Sequence, residues 1–376
     1  MLDKDVIKRL LDESIKLWPE RWPTIEKYFQ RSCFAAAVDA IMWDIGLFKT
    51  KNEIRTIEEI ISVGAIVPEA RYVLEKLLDI LTEEGVIKKE ADKYICVDND
   101  PDVSAPTECL VEAVKEVPEE WAAFQWLSRG IGGISRFLKG RLSGEEVMFG
   151  PWGDFTLVGQ VYYTSKVYCF WSKIAGATLT EITKGAGKKL TILEVGAGTG
   201  SGTTEFFNTL GEPRDYIEKY IFTDIFKKLV KNASKTFADK TDFMEFKTLD
   251  LSKPLQDQGF DKESVDILYA VNVMHALNDI KVACETMFDI IRKGGMVVLG
   301  EISPAKGKLY RYMELTFGLL GSYSQYDDKD LRPLSPILRP EEWIDNLKKA
   351  GFSDAIAIPG DRLEGLDRGG AVVVKK

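Results

Sequence analysis

The chain has 376 residues, 45% of them hydrophobic and 29% charged. That is enough apolar material to fill the cores of two domains and too much for wholesale disorder. Its net charge of −9 disfavours a nucleic-acid partner, whose recognition relies on basic surface. No run approaches the roughly 20 apolar residues of a membrane span. The cysteines (Cys33, Cys96, Cys109, Cys169 and Cys284) are dispersed, with no CxxC pair, which argues against a disulfide framework and against a zinc site. The opening MLDKDVIKRLLDESIKLW is charged throughout and lacks the apolar centre of a signal peptide, so the expected location is the cytoplasm.

In chain order, SCFAAAVDAIMWDIGLF (residues 32–48) predicts an apolar helix stopped at Gly46. Thr56 with Glu59 forms a capping box at the head of the next helix. Pro68 opens another, in which Val73, Leu74, Leu77, Leu78 and Leu81 recur at helical spacing until Gly85. VIKKEADKYICV then predicts two short strands around a polar turn. Helix, helix, hairpin is the order of a winged helix, and residues 1–97 are expected to form such a domain. Binding to DNA is disfavoured, because Glu69, Glu75, Asp79, Glu83 and Glu84 outnumber Arg71 and Lys76 on the helix that would meet phosphate. A dimerising or substrate-covering role fits that domain better.

Residues 98–187 predict a polar, proline-bearing linker followed by a helical cap, interrupted by FGPWGD. From Lys188 the pattern changes. LTILEV, YIEKYIFTDI, FMEFKTL, VDILYAVNV, MVVLGEI, AIAIPG and AVVVKK alternate with amphipathic helices. Such alternation predicts a mostly parallel sheet covered on both faces, with the last two runs free to form an antiparallel hairpin at its edge.

The first of these strands runs into glycines at Gly196, Gly198 and Gly200, with Ala197 between them. Glycines allow unusual backbone angles and let a ligand approach the main chain. A GxGxG turn alone also suits dinucleotides. Here Glu194 precedes the bend, where a carboxylate repels a pyrophosphate and suits the cationic amino-acid end of S-adenosylmethionine. Asp224 ends the second strand, placed to accept from ribose hydroxyls or to cap the next helix. Asp250 follows the third strand, placed for an adenine amino group with Leu251 on the ring, or as an ordinary turn aspartate. Asn272, after the fourth strand, completes the expected cofactor set.

From ILEVGAGTG through FTD and LDLS to KGGMVVLGE, the chain resembles the class I methyltransferase family. The resemblance runs from Lys188 onward. It implies an α/β, Rossmann-like seven-stranded sheet with S-adenosylmethionine across the carboxyl ends of the strands.

The single histidine, His275, follows the fourth strand, where ligands bind in such sheets. An imidazole is a side chain suited to general-base work. Glu301 ends the next strand, so the two carboxyl ends lie side by side and Glu301 is expected to orient the imidazole. NVMHAL…GE resembles the histidine–glutamate pair of the C-methyltransferase domains of polyketide synthases. That pair deprotonates the carbon between two carbonyls of a carrier-bound β-ketoacyl chain. Met148-Phe149 through Tyr162-Tyr163, residues 314–338 and RPEEWIDNLKKAGF resemble three further stretches of that family. The likeness implies a lid insertion at 305–338 and an active-site tyrosine at Tyr162 or Tyr163. The N-terminal region is similar instead to the dimerisation domain of small-molecule O-methyltransferases, which implies a homodimer. Tyr310, Tyr312, Phe317, Tyr323 and Tyr326 of the lid suit either a cation–π wall round a sulfonium or core packing. Arg332 and Arg339 suit a substrate carboxylate or surface ion pairs.

The sequence therefore predicts methyl transfer from S-adenosylmethionine to an activated carbon or hydroxyl of a small-molecule or carrier-bound acyl substrate, without a metal. The rivals are methylation of a thioether or thiol, which needs no base, and a non-catalytic binding or regulatory protein on the same fold.

Overall fold

Trp22, Ile25, Phe29, Cys33, Ala36 and Ala37 are buried along one helix, Trp22–Val38. It begins earlier than the apolar run at Ser32 suggests. Pro23 sits in its first turn, where a missing N–H costs nothing. A wider π turn over Asp39–Asp44 then carries the chain towards Gly46. The capping box forms as expected: Thr56 Oγ1 accepts from Glu59 N (3.3 Å) and Glu59 accepts from Thr56 N (2.8 Å). Strand β1 (Ile54–Thr56) precedes that helix, Ile57–Gly64. The helix Arg71–Glu83 buries Val73, Leu74, Leu77, Leu78 and Leu81. Strands β2 (Ile87–Glu90) and β3 (Lys93–Cys96) pair antiparallel, and β3 lies between β1 and β2. Arg71 is engaged by Glu58 and Glu75, and Lys76 by Asp79, which leaves this helix little cationic charge to offer.

The computed structural model describes residues 2–303, 310–360 and 369–376. It divides into two units, one of Glu20–Val167 with Leu309–Ser324, the other of Met1–Pro19, Tyr168–Lys308 and Gln325–Lys376. Residues 305–309 of the expected lid lie outside the described residues. In the helical unit Glu314 is buried and accepts from Tyr72 Oη (2.5 Å) and Tyr323 Oη (3.0 Å). The helix Gly144–Phe149 passes so close to the same segment that a Cβ on Gly144 would sit 1.7 Å from the Leu319 carbonyl oxygen.

The second unit is built on seven strands: β4 (Leu190–Val195), β5 (Ile217–Asp224), β6 (Met244–Thr248), β7 (Val265–Val271), β8 (Ile291–Ile302), β9 (Ser353–Ile358) and β10 (Gly369–Lys375). Their order is β6-β5-β4-β7-β8-β10-β9. β4 to β8 run parallel, and β10 is antiparallel to both neighbours. All seven expected runs are strands. The last two form the expected antiparallel pair, but only β9 is at the edge. β10 lies inside because Ala371–Val374 is apolar on both faces and wholly buried. After β6 the chain crosses β4 to start β7, which opens a crevice at the carboxyl ends of β4, β5 and β7.

The sequence pattern set its boundaries at 97 and 187, whereas the units divide at Pro19 and Val167. Packing explains both differences. Trp18 stands edge-on to Phe170 and Arg9 pairs with Glu181, tying the first residues to the helix Lys166–Lys184. That helix packs on β8 so closely that a Cβ on Gly300 would meet the Ala175 Cβ at 2.6 Å. No described helix is long and apolar enough to cross a membrane.

Gly144→Ala must move either a backbone carbonyl or its own helix. It is expected to destabilise the chain by about 1–3 kcal/mol. Gly132 lies inside the helix Trp121–Leu138 with nothing within 4 Å of its Cβ position. Gly132→Ala is expected to stabilise by about 0.5–1 kcal/mol. Urea denaturation of the two variants checks the opposite signs.

Candidate active site

β4 ends in the glycine bend. Gly196 and Gly198 both adopt φ +59°, a conformation that strains any side chain. At Gly196 a Cβ would also meet Val273 at 2.2 Å, whereas at Gly198 the nearest atom to a Cβ is the Gly196 oxygen at 3.8 Å. The main chain at Gly198 is therefore bare on that side, as a ligand approaching the backbone requires. Ala197 N donates to Thr223 O (2.8 Å) and Gly200 N to Ala197 O (2.8 Å), closing the turn into the helix Ser201–Leu210.

Asp224 braces this bend from the end of β5. Its carboxylate accepts from Gly198 N (2.9 Å) and Phe226 N (2.8 Å). It does not cap the next helix, whose N-cap is Phe226. Each oxygen has a further acceptor position beyond these bonds. Burial pushes the Asp224 carboxyl above its usual range, against the pull of the two backbone donors.

Glu194 is 1% exposed. Its carboxylate accepts from Thr203 Oγ1 and from Tyr220 Oη (2.6 Å), and lies 2.9 Å from where a Gly202 Cβ would sit. With both hydroxyls on it and almost no open surface, it holds the bend against the following helix. Burial raises its pKa to about 7.

Asp250 accepts from Ser252 N (3.0 Å) and Ser252 Oγ (2.6 Å), and pairs with Lys253 (2.9 Å). Burial raises its pKa, but these donors outweigh it and hold the carboxyl below the usual range. Leu251 is buried in the sheet core with Leu249, Leu255 and Phe260. These contacts are those of a turn aspartate and a core leucine. Asn272 takes φ +50°, and its Oδ1 accepts from Ile302 N (3.0 Å), which ties the end of β7 to β8. Asn tolerates that backbone better than most residues. Its observed partner is thus the neighbouring strand.

His275 lies in the single turn Met274–Ala276 after β7 and is 6% exposed. Parallel pairing of Val271 with Gly300 brings Glu301 beside this turn. Glu301, 3% exposed, approaches His275 Nδ1 at 2.5 Å through Oε2. Its Oε1 accepts from Val273 N (3.1 Å) and Met274 N (2.8 Å). A carboxylate at this place suits the tautomer that carries its hydrogen on Nδ1.

Tyr162 and Tyr163 lie on the helix Thr156–Thr164 of the helical unit, Tyr162 half-buried and Tyr163 exposed. The lid aromatics divide between the units. Tyr312 stacks on Phe29 (4.3 Å) and Phe317 packs on Trp126 (5.5 Å) within the helical unit. Tyr326, in the sheet unit, carries Lys329 and Arg332 over its ring. These contacts are packing and internal cation–π pairs. Arg339 pairs at the surface with Glu341 and Glu342. Arg332 is buried and bonded to the His275 turn. It is neither a surface ion pair nor open to a carboxylate, and its burial had no signal in the sequence.

A mostly parallel sheet with this strand order, a glycine bend at its switch point and a buried histidine–glutamate pair at its carboxyl edge has the architecture of a class I methyltransferase. Residues 193–297 match the family model described as a methyltransferase domain. Over 303 residues the chain is 27% identical to polyketide synthase ThaQ of Burkholderia thailandensis, covering 78% of this chain and 14% of that protein. The chain thus spans only a small part of the length of such curated relatives. Among solved structures, the CurJ carbon methyltransferase superposes with TM-score 0.89 at 25% identity, covering 99% of this chain and 98% of that one. The trans-methyltransferase CalH, solved with SAH, superposes with TM-score 0.67 at 19% identity, over 95% and 92% of the two chains. The chain is an S-adenosylmethionine-dependent methyltransferase, related to the methyltransferase domains of polyketide synthases.

Glu194 offers a test of the bend's supports. The folded chain keeps its proton up to about pH 7, whereas the unfolded chain releases it near 4.5. Between those values the folded state binds more protons, so stability falls as pH rises. The stability difference between wild type and Glu194→Gln is expected to shift against the wild type across that window and to level off above it. Denaturation curves at intervals from pH 4 to 8.5 read this out. A difference that stays flat contradicts the assignment.

Proposed function

We propose that the chain methylates an acidic carbon of an acyl-type substrate presented as a thioester on a carrier protein, with His275 as base. The observation that carries this reading is the buried His275–Glu301 pair, 2.5 Å apart at the carboxyl edge of the sheet. Methylation of a thioether needs no such pair, whereas a carbon between two carbonyls must first lose a proton. The 25% identity to a carbon methyltransferase over nearly the whole chain supports carbon over oxygen. The names of the curated relatives ThaQ, PksR and PksM, each a polyketide synthase, support the acyl thioester.

The bend from Gly196 to Gly200 and the spare acceptor positions of Asp224 suit the amino-acid and ribose parts of S-adenosylmethionine. When bound, that cofactor supplies an electrophilic methyl group. His275 Nε2 takes the proton from the substrate carbon. Glu301 holds the imidazole in one tautomer and stabilises the imidazolium that forms, and its remaining bonds keep the turn from shifting. Holding base and carbon acid in one geometry supplies much of the rate.

The reading is tested with an N-acetylcysteamine β-ketoacyl thioester. The wild-type chain is expected to exchange the α-hydrogen with D2O even without cofactor, and to add one methyl at that carbon when cofactor is present. His275→Ala is expected to lower both rates by about 10²- to 10⁴-fold, with Glu301→Gln between the two. An unchanged rate in His275→Ala removes the base role. A product methylated on oxygen by NMR removes the carbon acceptor.

A further inference from the structure

The turn that carries His275 is held from two sides. On its N–H side Glu301 accepts from Val273 and Met274. On its carbonyl side one guanidinium serves three residues. Arg332 Nη1 donates to His275 O (2.8 Å), and Nη2 donates to Leu277 O (2.8 Å) and Asn278 O (3.1 Å). Arg332 is 2% exposed. Its counter-charge is Asp328, whose other oxygen accepts from Ile280 N (3.0 Å), at the head of the next helix. Asp327 N adds a second donor to Asn278 O (3.0 Å). Tyr326 lays its ring 4.6 Å from the guanidinium carbon and gives its hydroxyl to Arg332 O (2.9 Å).

We propose that Arg332 is a positioning residue for the base: it fixes the backbone of residues 275–278 so that the imidazole held by Glu301 points in one direction. The proposal rests on the reading of His275 as base. A buried guanidinium is costly to desolvate, and an apolar side chain here would leave three carbonyls, that of His275 among them buried, without this donor. Lysine is no substitute, since an ammonium is a point charge without the planar fork that spans these carbonyls. Glu301 and Arg332 thus grip opposite polar edges of one short turn. Neither alone sets where Nε2 lies, because Glu301 holds the ring and its approach while Arg332 holds the exit. The segment 326–332 is thereby part of the catalytic apparatus, although none of its side chains need touch the substrate.

The chain contains a single histidine. Protein labelled with ¹⁵N-histidine, and carrying no histidine tag, therefore gives one pair of imidazole nitrogen signals. In the wild type these are expected to be sharp and to report the Nδ1–H tautomer. In Arg332→Gln and Arg332→Lys they are expected to broaden or to report mixed tautomers. Both variants are expected to lose about 10- to 100-fold in kcat, with KM and S-adenosylhomocysteine affinity held within about threefold. A folded Arg332→Gln with wild-type signals and wild-type kcat overturns the proposal. So does a loss of S-adenosylhomocysteine affinity in step with kcat, which marks general damage. If Arg332→Gln does not fold, Asp328→Asn, which keeps the guanidinium and removes its counter-charge, is judged by the same measurements. The imidazole signals need no substrate, so they judge the positioning role even where His275→Ala shows the base reading to be wrong.

Discussion

A buried carboxylate that accepts several donors can survive only where all of them stay in place. Glu301 is such a group, with two backbone N–H groups and an imidazole nitrogen converging on it at the end of β8. Its position follows from strand pairing: the register that sets Val271 beside Gly300 leaves the next residue of β8 facing the turn after β7. Moving that register by one residue would turn the carboxylate to the other face of the sheet. The geometry at His275 thus depends on the apolar runs of two strands as much as on the two side chains themselves.

The same device recurs along the carboxyl edge of the sheet. Asp224 at the end of β5 takes the N–H groups of Gly198 and Phe226, and Glu194 near the end of β4 takes the hydroxyls of Thr203 and Tyr220. Loops leaving parallel strands carry N–H groups that the sheet does not pair. Carboxylates at the strand ends meet that need and hold the loops in one shape before a ligand arrives. Arg332 performs the converse task, a cation meeting the carbonyls of the turn.

What could be read from the sequence was what is local or repeats. Strands buried on both faces show as unbroken apolar runs, and the glycine bend and the Thr56–Glu59 capping box are short-range patterns. The His275–Glu301 pair was legible because adjacent parallel strands bring their ends together. What could not be read depended on distant partners. Nothing near Glu194 announces Tyr220 on the next strand. Arg332 looked like a surface cation because the carbonyls that bury it belong to another loop. The aromatic residues of the lid carry no mark of which unit receives them, and Tyr312 in fact stacks on Phe29. The ends of the sheet unit were displaced for a similar reason, since Trp18 and Ala175 find their partners only in three dimensions.

The chain passes between its two units four times: after Pro19, after Val167, at Leu309 and after Ser324. During synthesis the helical unit therefore waits for Glu314 before Tyr72 finds its acceptor, and the inner strand β10 leaves the ribosome last of all the strands. Until then β8 has one open edge, and an unpaired apolar strand edge invites association with other nascent chains. The interleaving thus leaves the exposed edge of β8 uncovered until Gly369–Lys375 has been made.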